Sequence, residues 1–557
     1  MQLVKSSHSP FLLTTNRWVK MLIRGVFFLF LGACRLTSEY SSSTGDTAIL
    51  IDKYTKTITD TNPATWGPVN THDPKLFQDD DGTYYVFSTD ASIGNTWQGG
   101  IQVRKSKDLI NWECLSTPAL GKWDEDLKSW CGFTSDDAAY TWAPTVIKFK
   151  GKYYMYHGVI VDVADNANRP RAWIGLAIAD KVTGPYLPAH EYDPNTYTSS
   201  TVVRYTFTRT TGTIDADCLN EGAGSWNKGF GAIDPEIIWD ANGDMWMTYG
   251  SWKGGIAILR LNNDTGMPLS GYPADTISGG YGTQIAGGNG VASEGACLFR
   301  YGDYYYLFYS LGDLGYDYSV RVGRRPVSQG IAGPYYDASG KDLTTLTWND
   351  SHQYGNKILG AHQFSGEYGW RCPGGQSILV AQNGKIFMAH HTRTNFKQSW
   401  WFYLQVRQLY FTEDGWPVVN PNEYYGETLR TMTVQEVSGS YKVIHTIRGA
   451  TWAKFTNYEG VQSSSNVNTE DANETLSVAI TLNLDGTVSG AYTGTWSVSG
   501  SNITIILKTT SGSPIGTYKG IVSEAVDWAR KDNTNRKTIT FTTFCPETGE
   551  YFFGNKD

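Results

Sequence analysis

Charge is scarce in this chain. Asp, Glu, Lys and Arg make up 18% of its 557 residues, and 54 acidic against 46 basic residues leave a formal net charge of −8. No stretch dense in Lys and Arg supplies the field that a polyanion needs, which excludes nucleic acid as a partner and favours a neutral substrate. The apolar segment Gly25-Val-Phe-Phe-Leu-Phe-Leu-Gly-Ala, bounded by Arg24 and Cys34, is too short to cross a bilayer. Cysteine is sparse, seven in all, and the spacing of Cys114, Cys131, Cys218, Cys297, Cys372 and Cys545 matches no zinc pattern. These six permit disulfides without requiring any. Cys297, inside an apolar β-run, reads as a small buried hydrophobe.

The short apolar segment is a targeting signal and stands outside the fold. Leu31-Gly-Ala-Cys34 resembles the bacterial lipoprotein signal, in which the Cys is lipidated and becomes the mature N-terminus. On that reading residues 1–34 are the signal peptide, and membrane contact is confined to a lipid on Cys34. The protein is then exported and anchored at the bacterial cell envelope, at the outer membrane or cell surface. Met21 fits as the start better than Met1, because the stretch before it makes a poor signal n-region. Residues 35–66, rich in Ser, Thr and Asp, form a tether.

Gly (60), Tyr (35), Phe (22) and Trp (20) are plentiful, as in turn-rich β-structure with aromatic-lined clefts. One phrase occurs five times: an apolar β-run, a turn with Gly, then an aromatic-rich run. The copies start at Asp73, Ala143, Asp234, Glu294 and Gly375, and Gly82, Gly151, Gly243, Gly302 and Gly384 follow at a spacing of eight or nine residues. A constant internal spacing with variable insertions marks a repeated supersecondary unit. With further strands between copies, such as Ala172–Ala179 and Gly255–Leu261, residues 67–428 read as a five-bladed β-propeller. Residues 429–557 change to shorter alternating strands separated by turn signals, as in a small β-barrel or sandwich. The fold class expected is all-β.

The innermost strand of every blade runs along the central channel, so equivalent strand starts converge at one mouth. Taken as equivalent, Asp73, Asp234 and Glu294 bring three carboxylates together there. Crowded like charges raise the pKa of at least one, giving the mixture of protonated and ionised carboxyls that acid–base chemistry needs. Glycoside hydrolysis uses such a set most directly.

His72-Asp-Pro, Trp142-Ala-Pro, Ala232-Ile-Asp-Pro and Ser293-Glu-Gly, in this order, resemble the motif series of glycoside hydrolase family 43, most closely its endo-arabinanases. The resemblance covers about residues 67–428, and the C-terminal part is similar to the extra β-domain of longer extracellular members. It implies an inverting mechanism with Asp73 as general base, Glu294 as general acid and Asp234 as the residue that orients the acid and tunes its pKa. It further implies Trp142, Gly231 and Ser251 in the sugar subsites, with Trp370 as a weaker candidate, and a hydrated Ca2+ near His391. The residues alone favour reading either His390 or His391 as a hydrogen-bonded channel residue.

The expected substrate is arabinan or an arabino-oligosaccharide, cut at internal α-1,5-L-arabinofuranosyl bonds by a monomer. An exo-acting α-L-arabinofuranosidase or β-xylosidase is the nearest alternative, since the family uses one acid set for all three. A non-catalytic surface glycan-binding protein is the alternative of another class.

Overall fold

The computed structural model describes residues 62–93, 96–131, 140–163, 169–206, 230–269, 282–314, 317–347, 350–394, 402–449, 475–530 and 536–557. All of these belong to one compact unit, Thr47–Asp557. The signal peptide, Cys34 and nearly all of the tether lie outside the described residues.

Five antiparallel sheets follow one another along the chain. Their innermost strands are Lys75–Gln78, Tyr140–Phe149, Glu236–Trp239, Ser293–Tyr301 and Gly369–Val380 in blades 1 to 5. Each pairs with the aromatic-rich run after the Gly turn: Tyr84–Ser88, Lys152–Val163, Met245–Tyr249, Tyr304–Leu311 and Ile386–Thr394. These runs favour strand because branched and aromatic side chains pack well on a pleated surface covered on both faces.

Every blade-to-blade joint is an apolar cluster of its own. Phe87 and Val103 pack on Val146 and Met155 between blades 1 and 2. Ile174 and Tyr156 meet Ile237 and Met247 between blades 2 and 3, and Ile258 meets Leu298 and Leu307 between blades 3 and 4. Phe308 and Val322 join Ile378 and Met388, and Leu76 and Val86 join Phe387 and Val406, which closes the ring from blade 5 to blade 1. Backbone completes the closure: the Asn70 N–H donates to Phe402 O at 2.7 Å and the Leu404 N–H to Pro68 O at 2.8 Å.

The C-terminal strands form a closed eight-stranded barrel, from Gly439–Thr446 to Glu550–Lys556, in which the last strand pairs back onto the first. Alternation fills its interior with Tyr441, Val443, Ile505, Tyr518, Phe541 and Phe552. The barrel shares a core with blades 4 and 5: Phe544, Tyr551 and Ile521 pack on Trp416 and Tyr410, and Tyr551 OH donates to Pro417 O at 3.1 Å. Cys114, Cys297, Cys372 and Cys545 are buried free thiols, Cys297 as the apolar residue its sequence context suggests.

Two carboxyls are buried next to this junction. Glu367 faces Asp527 and pairs with Lys442 at 2.6 Å; burial first, and then the Asp527 charge, raise it from 4.5 to about 8. Glu427, hydrogen-bonded to Asn420 and the Tyr425 N–H, is raised by burial to about 7. Both keep a proton in the folded chain at pH values where the unfolded chain has released it. Folding therefore takes up protons, and stability falls as pH rises from the ordinary glutamate value of 4.5 towards about 8. The thermal midpoint should decline across that interval, and Glu367→Gln should flatten the decline. An unchanged slope in the variant would remove Glu367 as a cause.

Candidate active site

At the channel mouth the backbone does the same unusual thing five times. Asp73 (φ 49°), Ala143 (φ 40°), Asp234 (φ 58°), Gly295 (φ 59°) and Gly375 (φ 57°) all adopt the left-handed region. Non-glycine residues avoid that region, and holding three there stores strain of about 1–3 kcal/mol each. The five residues ring a narrow cavity of about 40 Å3 that continues down the channel.

This ring corrects the repeat alignment. The fourth copy starts its ring at Gly295, so Glu294 is not equivalent to Asp73 and Asp234; it precedes the register by one residue, as His72 and Trp142 do in blades 1 and 2. The register shift between Glu294 and Cys297 recurs in blades 2 and 5, at Trp142/Thr145 and Gly374/Ser377, which aligns Glu294 with Trp142 and Gly374. Glu294 still joins the other two acids. Gly295 N–H, its own neighbour, donates to Asp234 Oδ2 at 3.0 Å.

The three carboxylates have different surroundings. Asp73 is 22% exposed and accepts from the Thr89 hydroxyl at 2.7 Å, with His72 Nδ1 at 3.2 Å from the same oxygen. Thr89 in turn accepts from the Ala143 N–H at 2.9 Å, which ties Asp73 to blade 2. Asp234 opens partly to the mouth, but the mass of the surrounding blades desolvates it. That burial, then the charges of Glu294 and Asp73, push it well above the carboxylate range. Glu294 is raised by burial, against the pull of its donors. Those donors are Ser251 Oγ at 2.7 Å and Trp252 Nε1 at 3.0 Å on Oε2, and Tyr318 OH at 2.8 Å on Oε1.

Gly375 is a ring position closely packed by its neighbours. A Cβ there would stand 2.5 Å from Asp73 Oδ1 and 2.6 Å from His391 Nδ1, so no side chain fits against these two residues.

The expected sugar contacts divide. Trp142 is 36% exposed at the rim beside Ala143 and keeps a free face. Ser251 points its hydroxyl at Glu294. Gly231 is buried behind Ser251, where a Cβ would stand 3.2 Å from Ser251 O, so it packs the wall and does not line the mouth. Trp370 is away from the site: it is 5% exposed in a core of Trp66, Val69, Tyr403 and Trp528, where its size serves packing. Tyr318, Trp252 and Thr89 are residues that the sequence reading missed. Trp252 adjoins Ser251 and could have been found there, whereas Tyr318 lies just before another strand of its blade, Ser319–Pro326, and carries no local signal.

His391 is fully buried. Burial, with the neighbouring His72, His390 and Arg393, lowers it well below the ordinary histidine value, so the ring is neutral. Its Nδ1 accepts the Asp73 N–H at 3.2 Å, and its Nε2 has no hydrogen-bond partner. His72, Asp73 and His391 offer ligand atoms within 4.8 Å of one another. That set has a single carboxylate, and calcium takes six to eight oxygens. It would therefore fit calcium only as a water-rich ion anchored on His391 Nε2, which requires the Nδ1–H tautomer and so the loss of the hydrogen bond that Nδ1 accepts from the Asp73 N–H.

Residues 61–417 match the model of glycosyl hydrolases family 43, and residues 421–554 match a C-terminal lipocalin-like domain. The chain belongs to glycoside hydrolase family 43. Among its family relatives, an extracellular endo-α-(1→5)-L-arabinanase of Thermotoga petrophila is 32% identical, over 87% of this chain and 93% of the relative. The extracellular endo-α-(1→5)-L-arabinanase 2 of Bacillus subtilis is 30% identical, over 88% and 93%. The crystal structure of an endo-1,5-α-L-arabinanase from Thermotoga petrophila superposes with a TM-score of 0.68 at 29% identity, covering 88% of this chain and 98% of that one. Both the propeller and the barrel of this family 43 chain thus have counterparts in a single solved protein.

The donors on Glu294 yield a pH test. Tyr318 holds the ionised form of Glu294, so Tyr318→Phe should raise its pKa further. A group that must be protonated to act then works to higher pH, and the alkaline limb of kcat/KM should move up. An unmoved or acid-shifted limb would show that the Tyr318 contact does not tune Glu294.

Proposed function

We propose that this chain is an inverting glycosidase that cleaves internal α-1,5-L-arabinofuranosyl bonds of arabinan, acting as a monomer. The observation that carries the reading is the trio of carboxylates in three different environments at one mouth, in a chain whose full-length relatives are endo-arabinanases.

Asp73, partly open to water, takes a proton from a water molecule as the water oxygen attacks the anomeric carbon. Glu294, raised by burial, gives its proton to the departing glycosidic oxygen as the carbon–oxygen bond breaks. Asp234, its pKa raised by burial and then by the Glu294 and Asp73 charges, accepts the Gly295 N–H and so touches the backbone next to Glu294. Gly375, where no side chain fits, lets Asp73 and His391 pack closely on the blade 5 backbone. Trp142 offers an aromatic face at the rim to the apolar face of a sugar ring.

Calcium beside His391 belongs to this proposal. His391, with Asp73 nearby, would hold it, and when bound it supplies a fixed positive charge next to the base. The orphaned buried Nε2 supports the site. At the other end of the chain, the Leu31-Gly-Ala-Cys34 pattern supports a lipid anchor at the cell envelope.

Incubated with linear arabinan, the enzyme should give a ladder of oligosaccharides in the first minutes. Free arabinose alone would assign exo action, and binding without product would assign a glycan-binding protein. Asp73→Asn and Glu294→Gln should each lower kcat by about 10^3-fold or more with the thermal midpoint kept; near-normal turnover in either would sink the roles given. Chelation should reduce activity and added Ca2+ restore it, and an enzyme indifferent to both would remove the metal. Cys34→Ser should move the protein from the membrane to the soluble fraction; an unchanged distribution would discount the anchor.

A further inference from the structure

Two residues below the carboxylate ring, a second set of side chains meets in the channel. Residues i and i+2 of a strand face the same side. Lys75 therefore follows Asp73 into the channel and Glu236 follows Asp234, while Thr145, Cys297 and Ser377 hold the same level in the other blades. Lys75 Nζ and Glu236 Oε1 form an ion pair there, at side-chain exposures of 9% and 11%. The other oxygen of Glu236 accepts from Thr145 Oγ1 at 3.2 Å. On the far side, Ser377 Oγ accepts from the Leu76 N–H at 2.9 Å and donates to Pro74 O at 2.7 Å, which fastens the Lys75 strand to blade 5.

Blades 1 and 3 are not neighbours. The apolar clusters join each blade to the next, so none of them sets the distance from Asp73 to Asp234 directly. The ion pair does, because it spans the channel one pleat beneath both. Stability alone is a poor reason for such a pair: stripping water from two charges costs about as much as their attraction returns, and apolar residues of similar size serve a core as well. A charge-assisted bond in a low-dielectric channel has a defined length and direction, which apolar contact lacks.

We infer that Lys75 and Glu236 are positioning residues: their ion pair holds the strands of Asp73 and Asp234 at the separation that catalysis requires. The inference rests on the roles proposed above for those two carboxylates.

The test uses the full chain and arabinan as substrate. Either single change leaves a buried charge unpaired and risks the fold, so paired variants are compared: Lys75→Met with Glu236→Leu, and the reversal Lys75→Glu with Glu236→Lys. The apolar pair should fold with a thermal midpoint near that of the parent, keep KM within about twofold, and lose about ten- to a hundredfold in kcat, as small misplacements of reacting groups do. The reversed pair should regain at least part of that loss. A folded apolar pair with kcat within about twofold of the parent would overturn the inference, as would a reversed pair no better than the apolar one. Failure of both pairs to fold would also overturn it, by assigning the ion pair to folding. An unmodified chain inactive on arabinan would instead reject the functional reading, and the inference with it, so the two failures are distinguishable.

Discussion

Ring closure is the constraint on which the rest of this molecule depends. Five apolar joints, each between adjacent blades, leave the strand starts no freedom to separate once blade 5 has met blade 1. Like charges that would move apart in an open sheet are held at one mouth, and the same packing removes the water that would screen them. The raised pKa of Asp234 and that of Glu294 are consequences of this confinement more than of any single contact.

Within the ring, the blades differ by what they place at and before the left-handed residue. Blade 1 carries an acid at the position itself, blade 3 does the same, blade 4 carries one a residue earlier, and blade 5 carries no side chain. Donors then sort the acids. Glu294 receives three side-chain hydrogen bonds, whereas Asp234 receives a backbone N–H. One fold element repeated five times thus produces three chemically distinct carboxyls, because each meets a different set of neighbours.

Much of this was legible along the chain. The spacing from strand start to turn glycine identified the blades, and the change of pattern after about residue 430 identified the β-domain, which the structure closes as a barrel. The three acids were legible as well, but the reason for grouping them was partly wrong. Gly295 stands seven residues before its turn glycine, Gly302, against eight or nine in the other copies, so matching the copies on that glycine puts Glu294 in the place of Gly295. Trp370 misled because a large aromatic beside an inner strand looks alike whether it faces a sugar or a core. Tyr318 escaped because it lies 24 residues from the carboxylate it contacts, just before a strand of no distinctive pattern.

By itself, then, the sequence determined the repeat, the all-β class and the presence of acids at strand starts, since these follow from local periodicity and turn chemistry. Tertiary structure decided which side chains meet across the channel: Tyr318 with Glu294, Thr89 with Asp73, His391 with the Asp73 backbone and Lys75 with Glu236. Those partners are up to 318 residues apart, and the physical reason is that a closed ring sets distances between blades that no local rule encodes.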